Sequence, residues 1–240
     1  MTDTASDTRP LISVVVPMFN EEAGAAECVK RLTQVLEGMP FRHEIIFVND
    51  GSRDRTLENL KAQKSENPHI KIVDLSRNFG HQIAITAGID LAQGDAVIVI
   101  DGDLQDPPEL FPEMTAKWLE GFDIVHAKRR KREGETTFKL LTAKIYYRLI
   151  REIAHVEIPV DVGDFRLMSR RAVDALKTLR EKHRYIRGMV AWLGFNQTTV
   201  EYDRSARFAG QTHYPLSRML SFSWIGLTSF SIVPLRLATF

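Results

Sequence analysis

The chain of 240 residues contains a single cysteine, Cys28, so no disulfide can form within it. Disulfide scaffolds and zinc ribbons are therefore excluded, and we expect a protein stabilised by core burial in a reducing compartment. Residues 1–10 lack the basic start and the apolar segment of a secretory signal peptide, and we interpret them as a disordered lead. The patterns GxxxxGK(S/T) and GxGxxG are also missing, which excludes a P-loop and a dinucleotide-binding fingerprint.

A long uninterrupted apolar run is missing as well. Residues 221–240 are largely apolar and include Trp224, but Arg236 and the end of the sequence prevent the run of about 18 apolar residues that spans a membrane. The sequence therefore predicts no complete transmembrane helix. We expect residues 215–240 to form a juxtamembrane helix and the start of a truncated transmembrane region, or to dock on the membrane surface.

The formal net charge of +1 conceals a marked asymmetry. Residues 1–110 contain 10 Lys and Arg against 18 Asp and Glu, whereas residues 111–240 contain 22 against 13. Two parts of opposite charge indicate a site that binds a cation on one side and anions on the other. Two ordinary solvated faces are the alternative interpretation.

Short apolar and β-branched segments recur along the first half of the chain, as is typical of strands buried on both faces. Helix-compatible segments lie between them, and this alternation predicts an α/β fold with a mainly parallel sheet flanked by helices. Ligands of such sheets bind at the carboxyl ends of the strands. The predicted strands are Leu11–Pro17, His43–Val48, Ile70–Leu75, Ala96–Ile100 and Asp123–Ala127, and the predicted helices are Glu21–Leu36, Arg55–Lys64, Gln82–Ala92 and Pro108–Leu119.

Acidic side chains follow the fourth predicted strand, where Asp101, Asp103, Gln105 and Asp106 lie within six residues. Carboxylates this close disfavour one another's ionisation, and a divalent cation such as Mg²⁺ or Mn²⁺ would relieve the repulsion. A period of two residues would place Asp101, Asp103 and Gln105 on one side. Turns and helix caps also favour such residues, and we assign that structural role to Asp54.

A basic run, KRRKR at residues 128–132, directly follows the fifth predicted strand. Nucleic-acid binding is not expected, because no aromatic interleaving or nucleic-acid motif accompanies the run, and a phosphate-bearing small molecule or anionic lipid fits it equally well. Residues 138–153 form a predicted basic amphipathic helix. Core packing and a role at the membrane surface both remain open for this helix.

Six segments, in the same order, resemble the polyprenyl-phosphate glycosyltransferases of family 2, relatives of dolichol-phosphate mannose synthase and of bactoprenol glucosyltransferases. They are VVVPMFNEE (14–22), VNDGSRDRT (48–56), LSRNFGHQIAITAGIDLAQGD (75–95), DGDLQDPPE (101–109), DVGDFRLMSR (161–170) and RFAGQTHYPL (207–216). The resemblance implies a GT-A domain over residues 11–214 with C-terminal amphipathic, membrane-proximal helices. It also implies metal-dependent transfer of a sugar from a nucleotide sugar to a polyprenyl phosphate, with inversion at the anomeric carbon.

The resemblance further implies Mg²⁺ or Mn²⁺ as cofactor and undecaprenyl or dolichyl phosphate as acceptor. The motifs do not select the sugar: UDP-glucose is the first candidate donor, followed by UDP-GlcNAc, UDP-galactose, UDP-4-amino-arabinose derivatives and GDP-mannose. The membrane surface is an expected partner, and a homo-oligomer is one candidate assembly. We expect the protein at the cytoplasmic face of the inner or plasma membrane, where nucleotide sugars are made and the basic part of the chain can meet anionic lipid. The residues that match catalytic positions are Asp164, Arg129 and Arg207. The residues that match substrate positions are Pro17, Phe19, Glu21, Asp50, Asp101, Arg130, Thr212 and His213, and the matching metal ligands are Asp101, Asp103 and Gln105.

Two positions depart from the family pattern. His213 stands where many relatives have lysine, and KRRKR replaces the usual GSR, so that Arg129 and Arg130 are both candidates for one arginine. A lipid phosphate is already mostly a dianion at neutral pH, because its second pKa is about 6, and it hardly needs a general base. We therefore expect Asp164 mainly to position the substrates. The alternative is a structural role, either as a buried partner of Arg166 or as a turn residue.

Two other functions are consistent with parts of the sequence. A processive polysaccharide synthase would share the GT-A core, but its QxxRW signature is missing and only RGMVAW is present. A catalytically silent module that binds a sugar nucleotide is the alternative that is not an enzyme. The presence of both Asp103 and Asp164 favours an enzyme.

Overall fold

The five apolar segments that the sequence predicts as strands all form strands, and the four predicted helices form between them. A computed structural model describes residues 7–130, 162–182 and 184–203. The predicted helix at 138–153 and the membrane-proximal residues 215–240 lie outside these ranges. Up to the end of the fifth strand the elements are β1 (Leu11–Met18), α1 (Ala25–Glu37), β2 (Arg42–Asn49), α2 (Thr56–Glu66), β3 (Ile70–Asp74), α3 (His81–Leu91), β4 (Ala96–Val99), a short 3₁₀ helix (Pro108–Leu110), α4 (Phe111–Leu119) and β5 (Ile124–Arg129).

Four further elements complete the described fold: β6 (Val162–Ser169), α5 (Arg170–Thr178), α6 (Ile186–Trp192) and β7 (Gln197–Tyr202). The sequence predicted none of them. In β6 the charged residues Asp164 and Arg166 alternate with Phe165 and Leu167, so the strand lacks the continuous apolar run that marked the first five strands. In the ranges that the structure describes, no helix is both long and apolar enough to cross a bilayer.

All seven strands join one sheet in the order β3-β2-β1-β4-β6-β5-β7. Every strand pair is parallel except those of β6, which runs antiparallel to both β4 and β5. The expectation of a mainly parallel sheet is therefore confirmed. Because β6 runs against its neighbours, its first residues lie at the edge where the parallel strands end, and Val162 is paired with Lys128. This reversal brings Asp164 to the carboxyl ends of β4 and β5.

The sheet is buried on both faces by two apolar clusters. Val14 and Val16 of β1 point into the cluster formed with α1 and α4, whereas Val15 points into the cluster formed with α3, α5 and α6. Gly88 allows α3 to pack directly on β1, because a Cβ atom there would lie 2.3 Å from the Val15 Cγ1 atom. This close packing fixes α3 against the sheet, and the first turn of α3 lies at the same edge as the strand ends.

At the opposite end of the sheet, where the parallel strands begin, a buried carboxylate links neighbouring elements. Glu44 on β2 is only 5% exposed. Its Oε1 atom accepts hydrogen bonds from the Ser13 hydroxyl and from the Gln93 backbone N–H at 2.8 Å, and its Oε2 atom forms an ion pair with Lys71. Burial alone would raise the pKa of Glu44, but the hydrogen bonds from Lys71, Ser13 and Gln93 outweigh it and lower the pKa below the ordinary value of 4.5.

The Glu44→Gln variant tests this network through the pH dependence of stability. Because the pKa is lower in the folded state, the ionised carboxylate stabilises the fold above the unfolded-state pKa, and this contribution is lost as the pH falls through the folded-state pKa. We expect the substitution to lower the free energy of unfolding by about 1–3 kcal/mol at neutral pH, and the difference from wild type to shrink below about pH 4. Urea unfolding at several pH values measures this difference in the free energy of unfolding.

Glu66→Gln is the matched control, because Glu66 is exposed at the end of α2. We expect this control to change stability by less than about 0.5 kcal/mol. A Glu44→Gln difference that stays constant from neutral to acid pH would contradict the assignment.

Candidate active site

The loops that follow β1 and β2 are connected by hydrogen bonds. The Asn20 backbone N–H donates to the Ser52 hydroxyl at 3.0 Å, and the Asn20 side-chain oxygen accepts from the Arg53 N–H at 2.9 Å. Asn20 adopts a positive φ of 55°, a conformation that asparagine tolerates better than most residues. The pairing of β1 with β2 and these loop contacts bring three predicted substrate residues to the same edge as Asp50: Pro17, Phe19 and Glu21.

Asp50 is buried at the end of β2 and orders the start of α3. Its two carboxylate oxygens accept the backbone N–H groups of Phe79 at 2.7 Å and Gly80 at 2.9 Å. Gly51 has a φ of +64°, and a Cβ atom there would lie 2.3 Å from the Arg77 carbonyl carbon. The loop before α3 therefore packs directly on Asp50 and Gly51, a structural role that the sequence did not predict for Asp50.

Asp54 has the structural role that the sequence predicts. Its Oδ1 atom accepts the Thr56 N–H at 3.0 Å and the Thr56 hydroxyl at 2.6 Å, at the first residue of α2. Its Oδ2 atom accepts the Glu22 N–H at 3.1 Å. The prediction that Asp54 is a turn or cap residue is confirmed.

The acidic segment after β4 forms a tight turn with alternating burial. Gly102, Leu104 and Asp106 are buried, whereas the three predicted metal ligands lie half-buried between them. Leu104 is only 5% exposed and adopts a φ of 60°, which is rare for a bulky residue. Strain of this kind persists where the surroundings enforce it, and functional sites are frequent examples. The half-buried residues are Asp101, Asp103 and Gln105.

Asp101 has the environment of a carboxylate that needs a cation. Its Oδ1 atom is buried without a hydrogen-bond partner among the described residues, and the His81 Nε2 atom lies 3.4 Å away. Burial raises the pKa of Asp101 to about 6, His81 opposes the shift, and the carboxylates of Asp106, Asp164 and Asp103 add to it. The residues therefore fit a divalent cation, which would bind the carboxylates of Asp101 and Asp103.

The side chains that the structure describes do not form a complete metal site by themselves. Within residues 7–130, 162–182 and 184–203, no group of three or more His, Cys, Asp or Glu side chains is arranged to hold a metal ion. Mg²⁺ is commonly held by one or two carboxylates, with substrate phosphates and water completing its coordination. The turn matches that pattern, and the predicted role of Gln105 as a third ligand stays a prediction.

Asp164 lies next to Asp101 and is surrounded by donors. Its Oδ2 atom accepts from the Gln82 side-chain amide at 3.0 Å and lies 3.1 Å from the His81 Nε2 atom. Its Oδ1 atom accepts from Arg166 at 3.1 Å and lies 3.9 Å from the Arg187 Nη2 atom. The structural pair with Arg166, which the sequence offered as an alternative, is therefore present alongside contacts to the candidate site.

These contacts change the ionisation of the whole group. Burial alone would raise the pKa of Asp164, but the hydrogen bond from His81 and the charges of Arg187 and Arg166 lower it far below its usual range. Burial alone would lower the pKa of His81, but Asp101 and Asp164 raise it to about 9. These contacts favour the ionised form of Asp164 and the protonated form of His81.

The structure separates the two candidate arginines at the end of β5. The Arg129 Nε atom donates to the Tyr202 hydroxyl at 3.2 Å. The Nη2 atom of Arg129 lies 3.7 Å from Asp106 Oδ1 in the turn after β4, residues 101–106, which we call the acidic turn. The side chain of Arg130 is 57% exposed and lies 3.8 Å from Glu201. Arg129 therefore faces the acidic turn and Arg130 faces solvent.

Sequence reasoning missed several residues of this cluster, among them His81, Gln82, Arg187 and Tyr202. His81 and Gln82 belong to the motif LSRNFGHQIAITAGIDLAQGD, but nothing in the motif indicates a contact with Asp164, which lies 83 positions from His81. Three predicted site residues lie outside the described part of the chain: Arg207, Thr212 and His213.

Solved structures of sugar-transferring enzymes share the fold. Glucosyl-3-phosphoglycerate synthase from Mycobacterium tuberculosis superposes with a TM-score of 0.61 and 18% identity, over 90% of this chain and 76% of that chain. Mannosyl-3-phosphoglycerate synthase from Rubrobacter xylanophilus gives a TM-score of 0.63 and 20% identity, over 96% of this chain and 74% of that chain. The α/β architecture predicted from the sequence is thus the GT-A fold.

Relatives by sequence are considerably closer. The chain is 53% identical to the uncharacterized glycosyltransferase YkcC of Bacillus subtilis, over 95% of this chain and 71% of that protein. It is 41% identical to the bactoprenol glucosyl transferase of Shigella phage SfV, over 95% of this chain and 75% of that protein. The family model of glycosyl transferase family 2 matches residues 13–177. The chain therefore belongs to glycosyl transferase family 2 and is a glycosyltransferase of the bactoprenol glucosyl transferase type.

Proposed function

We propose that this glycosyltransferase moves a sugar from a nucleotide sugar to a polyprenyl phosphate, with UDP-glucose as the first candidate donor. Its relatives among the bactoprenol glucosyl transferases support a lipid carrier as acceptor. Inversion at the anomeric carbon follows if the acceptor phosphate attacks directly and displaces the nucleoside diphosphate. Undecaprenyl phosphate is the first acceptor to test and dolichyl phosphate the second.

The observation that carries this proposal is the set of donors around the Asp164 carboxylate, to which His81, Gln82 and Arg166 contribute. A general base works best when its pKa lies near the operating pH, and the pKa of Asp164 is held far below that range by His81, Arg187 and Arg166. An alcohol acceptor would need such a base to lose its proton. A phosphate monoester with a second pKa of about 6 is already a dianion, so it can attack without one.

The other charged groups suit stabilisation of the leaving nucleoside diphosphate. Asp101 and Asp103 would hold a Mg²⁺ or Mn²⁺ ion, which supplies positive charge to the departing diphosphate. Arg129 lies against the same turn through Asp106 and adds a fixed cation there. The structure of the M. tuberculosis enzyme that shares the fold contains Mn²⁺ and UDP, and this supports the same choice of ion and nucleotide.

We also propose that the enzyme works at the cytoplasmic face of the inner or plasma membrane. Nucleotide sugars are made in the cytoplasm, and the basic run at residues 128–132 suits an anionic lipid surface. Arg130, the exposed residue of this run that the structure describes, points away from the acidic turn and lies 3.8 Å from Glu201 and 3.7 Å from Asp203. Its exposed position suits contact with such a surface.

A transfer assay tests the proposed function. The protein is incubated with Mn²⁺, undecaprenyl phosphate and one radiolabelled nucleotide sugar at a time, and the organic phase is counted. We expect label to enter the organic phase with at least one donor, UDP-glucose first, and EDTA to abolish the transfer. Label released only as free sugar would indicate a hydrolase, and nucleotide binding without turnover of any donor would indicate a silent binding module.

Replacing Asp103 tests the metal assignment. We expect Asp103→Ala to lower the transfer rate by about 10²- to 10³-fold, because one preorganised charge at the leaving group is lost, and to weaken Mn²⁺-dependent binding of UDP. Calorimetry with and without Mn²⁺ measures the binding. Asp174→Ala on the exposed surface of α5 is the matched control, and a rate and metal dependence of Asp103→Ala equal to this control would reject the assignment.

The two adjacent arginines give an internal comparison. Arg129→Ala should lower the transfer rate by about 10²-fold or more, because the cation beside the acidic turn is lost. Arg130→Ala should lower the rate in detergent by less than about fivefold, as expected for an exposed charge. Steady-state rates with saturating substrates measure both effects, and equal losses in the two variants would show that Arg129 has no special role.

A further inference from the structure

The side chain of Gln82 connects three elements of the candidate active site. Gln82 is the second residue of α3, and its Nε2 atom donates to the Asp164 Oδ2 atom on β6 at 3.0 Å. Its Oε1 atom accepts the backbone N–H of Ile186, the first residue of α6, at 3.0 Å. One amide group thus links the start of α3, the start of β6 and the start of α6.

The two ends of this amide are not interchangeable. The NH₂ group is a donor and faces a carboxylate, whereas the carbonyl oxygen is an acceptor and faces an N–H group. Rotation of the amide by 180° would place two acceptors together and two donors together. The surroundings therefore define one orientation of Gln82, and Gln82 in turn defines the position of the Asp164 Oδ2 atom.

The hydrogen bond to Ile186 has a second consequence, because the next residue of α6 is Arg187 and its charged side chain reaches the candidate active site. The Arg187 Nη2 atom lies 3.9 Å from Asp164 Oδ1, and its charge is one of the causes that lower the pKa of Asp164. Gln82 thus fixes one oxygen of the carboxylate directly. It also fixes the helix turn from which Arg187 approaches the other oxygen.

We propose that Gln82 is a positioning residue for the transfer reaction: it sets the orientation of the Asp164 carboxylate and the placement of Arg187 beside it. This inference rests on the proposed function, because it assumes that Asp164 and Arg187 act on the substrates. Reacting groups must be held closely, and a misplacement of about 1 Å can cost about 10²-fold in rate. A hydrogen bond to a charged group is strong enough to hold such an orientation.

Two variants of similar size separate positioning of Asp164 from support of α6. Gln82→Met keeps the volume of the side chain and removes both hydrogen bonds. Gln82→Glu, assayed at mildly alkaline pH, retains an acceptor for the Ile186 N–H but turns an acceptor and a negative charge toward Asp164. If Gln82 acts only by holding α6 and Arg187, Gln82→Glu keeps more activity than Gln82→Met. Positioning of the Asp164 carboxylate requires Gln82→Glu to be at least as slow as Gln82→Met.

We expect Gln82→Met and Gln82→Glu to lower kcat by about tenfold or more, as the loss of a hydrogen bond to a charged group predicts. The affinity of Gln82→Met for UDP with Mn²⁺ should change by less than about twofold, because this variant adds no charge and touches neither the acidic turn nor Asp50. Gln34→Met on the exposed surface of α1 is the matched control. Steady-state kinetics, calorimetry and thermal unfolding are measured on all four proteins.

Three results would overturn the proposal. They are a kcat of Gln82→Met equal to that of the Gln34→Met control, a kcat of Gln82→Glu above that of Gln82→Met, and a parallel fall of kcat, nucleotide affinity and thermal stability in both variants. The last result would indicate a purely structural residue.

Failure of the proposed function is recognised separately, because the wild-type protein would then transfer no sugar to polyprenyl phosphate. In that case crystal structures of wild type and Gln82→Met decide the positioning role. A rotated Asp164 carboxylate and a displaced Arg187 in the variant would support it. An unchanged Asp164 and Arg187 would overturn it.

Discussion

A carboxylate that is buried and yet ionised requires donors and cations around it, and Asp164 imposes this requirement on the whole site. The groups that meet it come from separate parts of the fold: His81 and Gln82 from α3, Arg166 from β6 and Arg187 from α6. Withdrawal of any one of them would leave negative charge poorly compensated. The start of α3, the start of β6 and the start of α6 are therefore held together by one charge.

The same constraint reaches the end of β2 through α3. Asp50 at the end of β2 binds the backbone of Phe79 and Gly80, and the next two residues of the chain bind Asp164. Close packing of α3 on β1 at Gly88 prevents this first turn from shifting along the sheet. A continuous series of contacts thus sets the distance between the end of β2 and the start of β6, as catalysis by positioning requires.

The opposite charges of the two parts of the sequence meet at this edge of the sheet. The acidic turn with Asp101, Asp103 and Asp106 belongs to the acidic first part, and Arg129 and Arg187 belong to the basic second part. Solved structures at 18–20% identity share the architecture. A shared architecture does not define the chemistry, which depends on the charged groups that each sequence places at the strand ends.

The first five strands, the four helices between them, the cap at Asp54 and the family were all predictable from the sequence. Each of these features depends on local periodicity or on a contiguous motif, and neighbouring residues suffice to specify it. The acidic turn could also be predicted from the sequence, since its carboxylates lie within six residues. Its alternating burial also agrees with a period of two residues.

Only the tertiary structure decided which groups surround Asp164, among them His81 and Gln82, and that Arg129 rather than Arg130 faces the acidic turn. Arg129 contacts Tyr202, 73 positions away, and the contacts of His81 and Gln82 with Asp164 join residues more than 80 positions apart, so no local pattern specifies them. The contacts with Asp164 exist because β6 inserts antiparallel between β4 and β5, so that its first residues lie where the neighbouring strands end. A strand that carries buried charges lacks the apolar run by which a sequence indicates a buried strand. Its charged side chains are stabilised by partners that are distant in the sequence and pack against it in the fold.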